Sequence, residues 1–325
     1  MEVFRRLPPS ADRRPCALTI GNFDGVHRGH QVVLATLGAR ARELGLPSCV
    51  LTFEPHPREF FSARHGQPAP ARILIERDKL DALGRWGVDR VCIAHFNDSL
   101  ATLTAERFIR EMIIDGLQAR HLLVGDDFRF GAGREGDFDM LTRAAADGSF
   151  ELGQIPSVRE GGDRISSSAV RAALAGGDFD RVHALLGRRY SMSGHVIHGR
   201  KLGRGLGFPT LNLRIPFERP ALSGVFIVEV EGLGATALPG VASLGTRPVV
   251  ERDGRPLLEV HLFDFDRDIY GELVRVVFLR KLRDEAQFAG LDALREQIAR
   301  DAQAARTYFS STPDSGAAPD DGSRT

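Results

Sequence analysis

The stretch "LTIGNFDGVHRGHQ" (residues 18 to 31) leads from an apolar run through a glycine-rich turn into a helix-like segment. The apolar run ends at Ile20, and His27 and His30 stand three apart where the helix begins, so they should share one face. A helix N-terminus offers unpaired N–H groups and a positive dipole end, so imidazoles there favour phosphate binding and phosphoryl transfer. An ordinary glycine turn would carry the same residues.

The first half of the chain alternates apolar runs with amphipathic stretches. Between residues 16 and 158, strand-like segments such as "SCVLTF" and "RVCIAHF" are separated by helix-like ones, for example 29 to 44 and 75 to 86. This alternation predicts an α/β fold with a parallel sheet covered on both faces. Such sheets bind ligands at the carboxyl ends of their strands, where the opening turn is expected to lie.

The second half changes to strand upon strand. Residues 166 to 187 first predict two short helices separated by Gly-Gly-Asp. The β-rich segments that follow, separated by Gly, Pro and Asp turns, predict a β barrel or sandwich. They are "YSMSGHVIHG", "TLNLRI", "GVFIVEVEG", "LEVHLFDF" and "LVRVVFLRKL".

The C-terminal region predicts one helix and a tail. Residues 284 to 305 place apolar side chains at helical spacing, which predicts a helix packed across the barrel. The stripe consists of Phe288, Leu291, Leu294 and Ile298. Residues 310 to 325 lack large apolar groups and are expected to be disordered.

The charges of the chain balance. With 43 Lys and Arg against 43 Asp and Glu in 325 residues, nothing attracts nucleic acid or membranes globally, and neither is expected as a partner. The start has no apolar signal-peptide core, and no run reaches the ~18 apolar residues of a membrane helix, so a cytoplasmic location is predicted. Cys16, Cys49 and Cys92 are odd in number and far apart, which indicates buried thiols.

The ten residues "GNFDGVHRGH" resemble closely the signature of the prokaryotic bifunctional riboflavin kinase/FAD synthetase family, whose N-terminal half belongs to the H-x-G-H nucleotidyltransferases. Further segments agree with this family in order along nearly the whole chain. They are "TFEPHPREFF" (52 to 61), "VGDDFRFG" (124 to 131), "RISSSAVR" (164 to 171), "GRGLGFPTLNL" (203 to 213) and "LEVHLFDFDRDIYG" (258 to 271).

The resemblance implies a domain plan and a set of ligands. Residues 1 to 186 would form a Rossmann-like α/β adenylyltransferase domain. Residues 187 to 309 would form an antiparallel β-barrel riboflavin kinase domain with a C-terminal helix, and 310 to 325 the tail. ATP would be the co-substrate of both reactions, Mg²⁺ would serve both, and riboflavin, FMN and FAD would be the flavin ligands.

In the first half, the resemblance implies transfer of the adenylyl group of ATP to the phosphate of FMN, giving FAD and pyrophosphate. His27 and His30 would act at the triphosphate. The turn around them would bind the nucleotide through Gly21, Asn22, Phe23, Asp24 and Gly29.

The segment "RISSSAVR" would complete that site. Its hydroxyls at a helix start, Ser167 and Ser168, and Arg171 one turn onward would hold the β and γ phosphates. A solvated serine cap is the ordinary explanation of such a segment by itself. Family members usually have Thr in place of Ser168, so the hydroxyl is kept.

Two loops after strands are assigned to ligand binding. In "VGDDFRFG", Asp126, Phe128 and Arg129 follow an apolar strand, and the family uses this loop at the adenine and flavin side. In "FEPHPREFF", Phe60 and Phe61 are expected beside the isoalloxazine ring. An ordinary loop and a plain hydrophobic loop remain the alternatives.

In the second half, "GRKLGRGLGFPTLNL" has the composition of a mobile cationic loop over phosphates, or of a flexible solvent loop. Gly203, Gly207 and Pro209 are assigned to nucleotide binding by the resemblance. Thr210 and Asn212 are two apart in an expected strand, so they share a face and can offer oxygens to Mg²⁺ and phosphate.

Phosphorylation of riboflavin needs a base for the ribityl 5′-hydroxyl, and Glu259 is the candidate. It stands in the apolar segment "LLEVHLF", where an unpaired charge would be costly; a solvent-facing strand glutamate is the default alternative. Ser243, Arg247 and Phe226 depart from the residues most frequent in the family, and they are not included among the predicted site residues.

The predicted function is therefore conversion of riboflavin to FMN in the second domain and of FMN to FAD in the first. Two alternatives remain: an H-x-G-H nucleotidyltransferase acting on another phosphate acceptor, and a non-catalytic flavin-binding regulator. The sequence leaves the assembly state open, although some family members self-associate.

Overall fold

A computed structural model describes residues 1 to 199, 205, 207 to 245 and 256 to 311. The chain forms two compact units. The first consists of Met1–Pro70 and Lys79–Ser166; the second consists of Ala71–Asp78 and the chain from Ser167 onward. The boundary between the compact units, after Ser166, comes earlier in the chain than the predicted domain boundary at residue 186. The boundary between the functional domains stays a prediction.

The first unit contains a six-stranded parallel sheet in the order β1-β4-β3-β2-β5-β6. Its strands are β1 (Glu2–Phe4), β2 (Cys16–Ile20), β3 (Ser48–Glu54), β4 (Arg90–His95), β5 (Ala119–Gly125) and β6 (Glu151–Ile155). The predicted parallel sheet is confirmed, and its two edge strands, β1 and β6, are additions to the prediction. A small hairpin of β7 (Arg159–Glu160) and β8 (Asp163–Arg164) follows.

Helices connect these strands. They are α1 (Arg28–Leu44), α2 (Pro57–Arg64), α3 (Glu76–Arg85), α4 (Asp98–Ala101), α5 (Ala105–Phe108) and α6 (Phe138–Ala145). A π-helical turn, Ile109–Ile114, continues α5, and single 3-10 turns occupy Ser10–Asp12 and Ala132–Arg134. The carboxyl ends of the parallel strands lie along one edge of the sheet, so the loops after β2, β3, β4 and β5 share that edge.

The core of the first unit is apolar and includes all three cysteines. Leu18, Leu51 and Leu122 on neighbouring strands are completely buried. Cys16, Cys49 and Cys92 are buried free thiols, as predicted. Burial raises the pKa of Cys92 to about 12, so this thiol stays protonated at neutral pH.

The second unit begins with α7 (Ser167–Gly176) and α8 (Phe179–Leu186), the two predicted short helices. A closed antiparallel barrel of six strands follows, in the order β10-β13-β12-β11-β14-β9. Its strands are β9 (Ser191–Ile197), β10 (Leu211–Arg214), β11 (Gly224–Glu231), β12 (Leu238–Gly245), β13 (Leu257–Leu262) and β14 (Leu273–Arg283). Closure removes every exposed sheet edge.

One barrel strand was missing from the prediction. The predicted strands do not include residues 238 to 245, which form β12 between β11 and β13. Its Pro239, Gly240 and Gly245 hide the alternation that identifies a strand. Phe226 on β11 is completely buried, and its ring contacts that of Phe278 edge-on at 5.3 Å.

The last helix, α9, spans Leu291–Ser311, so it begins and ends later than predicted. The predicted stripe is only half right, because Phe288 precedes the helix and Leu291 is 65% exposed. The buried contacts come from further along: Ala302 and Ala305 pack on Val225, Ile227 and Val241 of the barrel wall. Ser310 and Ser311 belong to this helix, and residues 312 to 325 lie outside the described residues.

Candidate active sites

The H-x-G-H segment forms a strained turn between β2 and α1. Phe23 and Val26 have φ values of 49° and 41°, in the left-handed region that favours glycine, and Gly25 has φ 97°. The Gly21 N–H donates to the Leu51 carbonyl at 3.0 Å, which extends the sheet by one hydrogen bond before the chain turns. Strained backbone of this kind is concentrated at functional sites, because the surrounding structure must hold it.

His27 and His30 stack at the first turn of α1. Their ring centroids are 3.7 Å apart with an interplanar angle of 17°, and His27 is 6% exposed. His27 is the N-cap, and its Nδ1 accepts the His30 N–H at 3.3 Å. In the neutral form of His27 the ring proton is therefore on Nε2.

Gly29 lies between the two histidines because little else fits. A Cβ at this position would lie 3.2 Å from Nδ1 of His27 and 3.4 Å from the carbonyl oxygen of Ile165. The histidine pair therefore lies next to the chain that leads into "SSSAVR". Asn22 and Asp24 line the same turn: Asp24 is 4% exposed, and the buried Oδ1 of Asn22 has no hydrogen-bond partner among the described residues.

The loop after β5 is fastened within the first unit. Ser157 donates its N–H and its hydroxyl to the two carboxylate oxygens of Asp126, at 2.9 and 2.7 Å. These hydrogen bonds lower the pKa of Asp126. Arg129 is exposed and donates to the carbonyl of Phe128, whose ring stacks on Phe130 at 5.4 Å. The structure gives Asp126 a loop-anchoring contact that the sequence did not indicate.

An aromatic cluster lies at the carboxyl ends of β3 and β4. Phe60 and Phe61 of α2 both make edge contacts with Phe96, at 5.3 and 5.8 Å, and Phe53 contacts the same ring. Phe61 is 40% exposed. Phe53 and Phe96 were not predicted, although Phe96 directly follows the strand "RVCIAH", a position that could have indicated it.

In the second unit, Ser167, Ser168 and Arg171 lie in the first two turns of α7. Ser167 is half-buried and Ser168 is exposed, so this side of the helix start is open. Arg171 is fixed by its Nε, which donates to the Ala71 carbonyl at 2.6 Å. This contact with backbone helps to set the position of the guanidinium group.

A row of polar residues crosses the barrel. Asn212 on β10 lies directly opposite Glu259 on β13, and Glu259 lies opposite Ser243 on β12. Residues paired in this way share a face, with Cβ atoms about 5 Å apart. Glu259 is half-buried, on the strand face opposite to the buried Leu258 and Val260.

Asn212 is buried beside the start of β10. The residue is 4% exposed; its Nδ2 donates to the Thr210 carbonyl at 3.3 Å, and its Oδ1 has no partner among the residues described. A Cβ on Gly199 would collide with this amide, so backbone passes closely over it. Thr210 is half-buried and precedes β10, which starts at Leu211; the prediction had placed it within the strand.

The segment before β10 is held by His261. The ring Nδ1 of His261 lies 2.8 Å from the Pro209 carbonyl, and Phe208 contacts the same ring edge-on at 5.4 Å. Sequence reasoning missed His261, although it is two residues from Glu259 and therefore on the same face. Gly207 is exposed beside this segment, whereas Gly203, Arg200, Lys201, Arg204 and Arg247 lie outside the described residues.

The described residues contain no group of three or more His, Cys, Asp or Glu side chains arranged to hold a metal ion. Within the same residues, no helix is long and apolar enough to cross a membrane.

A nucleotidyltransferase-type parallel sheet followed by a β barrel with polar residues across its wall defines a two-domain transferase. Comparisons with known proteins agree: residues 10–169 match the FAD synthetase family and residues 186–309 match the riboflavin kinase family. A bifunctional riboflavin kinase/FMN adenylyltransferase of Pseudomonas fluorescens is 49% identical over 91% of this chain and 93% of its own length.

The Escherichia coli K12 relative of the same name is 47% identical, covering 93% of this chain and 95% of its own length. A solved structure described as a macrolide-efflux protein from Streptococcus pneumoniae is 30% identical, with a TM-score of 0.73 over 94% of this chain and 98% of that one. The chain belongs to the family of bifunctional riboflavin kinase/FMN adenylyltransferases.

Proposed function

We propose that the two reactions of this family take place at two separate sites of this chain. The chain is a riboflavin kinase and an FMN adenylyltransferase with ATP as co-substrate. Riboflavin, FMN and FAD are its flavin substrates and products. One observation supports the assignment of the two reactions to separate sites. His27 and His30 lie in the first compact unit, whereas Asn212 and Glu259 lie on paired strands of the second.

In the adenylyl transfer, a phosphate oxygen of FMN attacks the α-phosphorus of ATP, and the bond to the β-phosphate oxygen breaks to release pyrophosphate. No covalent enzyme intermediate is needed, so the protein acts by positioning two anions and stabilising the charge spread over them. His27 supports this role because its Nε2–H is directed away from the cap contact at Nδ1. His30 stacks on His27 at the same helix N-terminus, where anions bind well.

The remaining residues predicted for this site have supporting roles. Gly21, Phe23 and Gly29 shape the turn, and the buried Oδ1 of Asn22 suits a hydrogen-bond donor or cation of the bound nucleotide. The open helix start at Ser167 and Ser168 and the guanidinium of Arg171 suit phosphate oxygens, and their role on ATP stays a prediction. Asp126 is assigned to shaping its loop, and Phe128 and Arg129 to ligand contact.

In the kinase reaction, Glu259 takes the proton of the ribityl 5′-hydroxyl as its oxygen attacks the γ-phosphorus and ADP leaves. The half-buried position beside apolar strand neighbours supports this role, because a carboxylate held there is oriented and only partly hydrated. His261 supports the segment before β10, because its ring contacts the carbonyl of Pro209, the neighbour of Thr210.

The residues near Glu259 fit Mg²⁺. The buried Oδ1 of Asn212, which has no hydrogen-bond partner within the described part of the chain, and the hydroxyl of Thr210 are oxygen ligands of the kind that Mg²⁺ prefers. This ion commonly uses only one or two protein ligands beside phosphate and water. When bound, Mg²⁺ neutralises charge on the phosphates. The chain itself contributes the fixed amide of Asn212, which is hydrogen-bonded at Nδ2 and covered by Gly199.

Three further expectations belong to this proposal. Because the charges balance, we expect no nucleic-acid or membrane partner. A cytoplasmic location stays a prediction. Weak self-association stays a possibility to be measured.

The purified chain is tested with riboflavin, ATP and Mg²⁺, and the products are separated by chromatography. The proposal expects FMN first and FAD second. FAD from supplied FMN but no FMN from riboflavin would remove the kinase assignment, and FMN without FAD would leave the first unit acting on another acceptor. Formation of neither product would leave a flavin-binding regulator.

A further inference from the structure

The mechanism above leaves a buried lysine unused. Lys79 on α3 is 3% exposed, and its Nζ donates to the Thr52 hydroxyl at 3.4 Å. Thr52, on β3, is completely buried and in turn donates to the carbonyl oxygen of Asn22 at 3.3 Å. These contacts lead from Lys79 directly to the histidine-bearing turn.

The direction of these hydrogen bonds is fixed by chemistry. An ammonium can only donate, so the Thr52 hydroxyl must accept from Lys79. A hydroxyl has a single hydrogen, and a carbonyl can only accept, so that hydrogen goes to Asn22. Lys79 therefore sets the hydroxyl in the one orientation that holds the Asn22 carbonyl.

The held carbonyl belongs to the peptide immediately before the strained residue. The Asn22 carbonyl and the Phe23 N–H are parts of one planar trans peptide and point in opposite directions. Fixing the carbonyl toward Thr52 therefore fixes the Phe23 N–H on the opposite side. Phe23 has φ 49°, which a non-glycine residue adopts only when its surroundings hold it, and its ring lies 4.9 Å from that of His30.

We propose that Lys79 and Thr52 are positioning residues for FMN adenylylation: through Asn22 they hold the turn that places His30 for the triphosphate of ATP. The inference rests on the proposed function of His27 and His30. Lys79 is not proposed to contact the substrates. The kinase reaction is not expected to depend on Lys79 or Thr52.

The test uses the full chain with four single variants. Thr52→Val keeps the shape and removes the hydroxyl, and Thr52→Ser restores it. Lys79→Met removes the ammonium, and His30→Ala serves as the reference for the site itself. Both activities are measured for each, with the KM for ATP and the KM for FMN separated in the adenylyl transfer.

We expect Thr52→Val and Lys79→Met to lower kcat/KM for ATP in FAD synthesis about tenfold to a hundredfold, since misplacement of a reacting group by about 1 Å has effects of this size. The KM for FMN and the kinase activity should be unchanged, and Thr52→Ser should recover most of the loss. A double variant that combines Thr52→Val with Lys79→Met should lose no more activity than Thr52→Val alone, because both changes break the same chain of hydrogen bonds.

Unchanged FAD synthesis in Thr52→Val would overturn the inference. So would an equal loss of both activities, or no rescue by Thr52→Ser, because either outcome indicates a general packing role. If His30→Ala also left FAD synthesis unchanged, the proposed site itself would be wrong. A loss in His30→Ala without one in Thr52→Val would remove the positioning role of both Thr52 and Lys79 and leave the proposed histidine site in place.

Discussion

At the scale of single residues, the two proposed sites share one feature: a polar side chain is oriented by a hydrogen bond to backbone. His27 accepts the His30 N–H at Nδ1. Asn212 donates through Nδ2 and keeps Oδ1. In both cases a glycine, Gly29 or Gly199, lies where a larger residue would push the fixed group aside. Such preorganisation keeps the cost of aligning the group low during reaction.

Gly29→Ala should impair FAD synthesis alone. The new Cβ would lie 3.2 Å from the His27 ring, so the ring must move by a few tenths of an ångström. We expect kcat/KM for FMN adenylylation to fall about tenfold, because small displacements at a reacting site are expensive. Steady-state assays of both activities check this. Gly38→Ala in the same helix, where a Cβ meets only Arg42 at 3.5 Å, is the matched control and should leave both activities intact.

Gly199→Ala should have the opposite selectivity. A Cβ there would displace the Asn212 amide, so riboflavin phosphorylation should fall by a similar factor of about ten while FAD synthesis from supplied FMN is unchanged. Parallel assays of the two glycine variants measure both effects. If each variant lowered both activities equally, the local interpretation of these glycines would be refuted.

At the scale of elements, α9 is attached to the barrel by two ion pairs besides its apolar contacts. Arg283 at the end of β14 donates to both carboxylate oxygens of Asp301, which is 6% exposed. Arg306 makes a two-bond contact with Asp264 just after β13, at 3.0 and 3.1 Å. The hydrogen bond from Arg306 lowers the pKa of Asp264. The first pair is sheltered, and the second is open to solvent.

The Asp264–Arg306 pair should make the docking of α9 sensitive to acid. The pKa of Asp264 is lower in the folded state than in the unfolded state, where it is about 3.9. The ionised carboxylate therefore stabilises the folded state above the unfolded-state pKa, and this contribution is lost as the pH falls through the folded-state pKa. We expect Asp264→Asn to lower the unfolding temperature at pH 7 and to differ less from the wild type at pH 3. Calorimetry at both pH values checks this. A difference that grew on acidification would contradict the assignment.

At the scale of the whole molecule, two compact units each contain their own core and their own polar constellation. The parallel sheet presents the loops after its strands along one edge, and the barrel presents Asn212 and Glu259 across its wall. In the proposed function, FMN is the product of the barrel site and the substrate of the site beside the parallel sheet. The chain is expected to release FMN between the two reactions.

Much of this organisation could be predicted from sequence. The alternation of strands and helices predicted the parallel sheet, and the spacing of His27 and His30 predicted that their side chains share one face. The strand β12 was missed because its proline and glycines obscure alternation. The start of α9 was misplaced because residues 284 to 290 continue the helical charge and apolar pattern without folding as helix.

Contacts made across the sequence were beyond prediction. The hydrogen bond from Ser157 to Asp126 joins residues that are 31 positions apart in the sequence, and the one from Lys79 to Thr52 joins residues that are 27 positions apart. Composition around each residue gives no sign of its partner. Lys79 in particular reads as an ordinary exposed helix lysine, and only the packing of α3 shows that it is buried.

The central claim is that the two reactions use separate sites, and complementation between two inactive variants tests it most directly. Glu259→Gln should form FAD from FMN but no FMN from riboflavin, since it lacks the base. His30→Ala should form FMN from riboflavin but little FAD. Neither variant alone should convert riboflavin to FAD.

The measurement is FAD formed from riboflavin, ATP and Mg²⁺ by an equimolar mixture of the two purified variants. We predict that the mixture forms FAD, because FMN released by His30→Ala is adenylylated by Glu259→Gln. A mixture that forms no FAD, with both variants lacking both activities, would contradict separate sites.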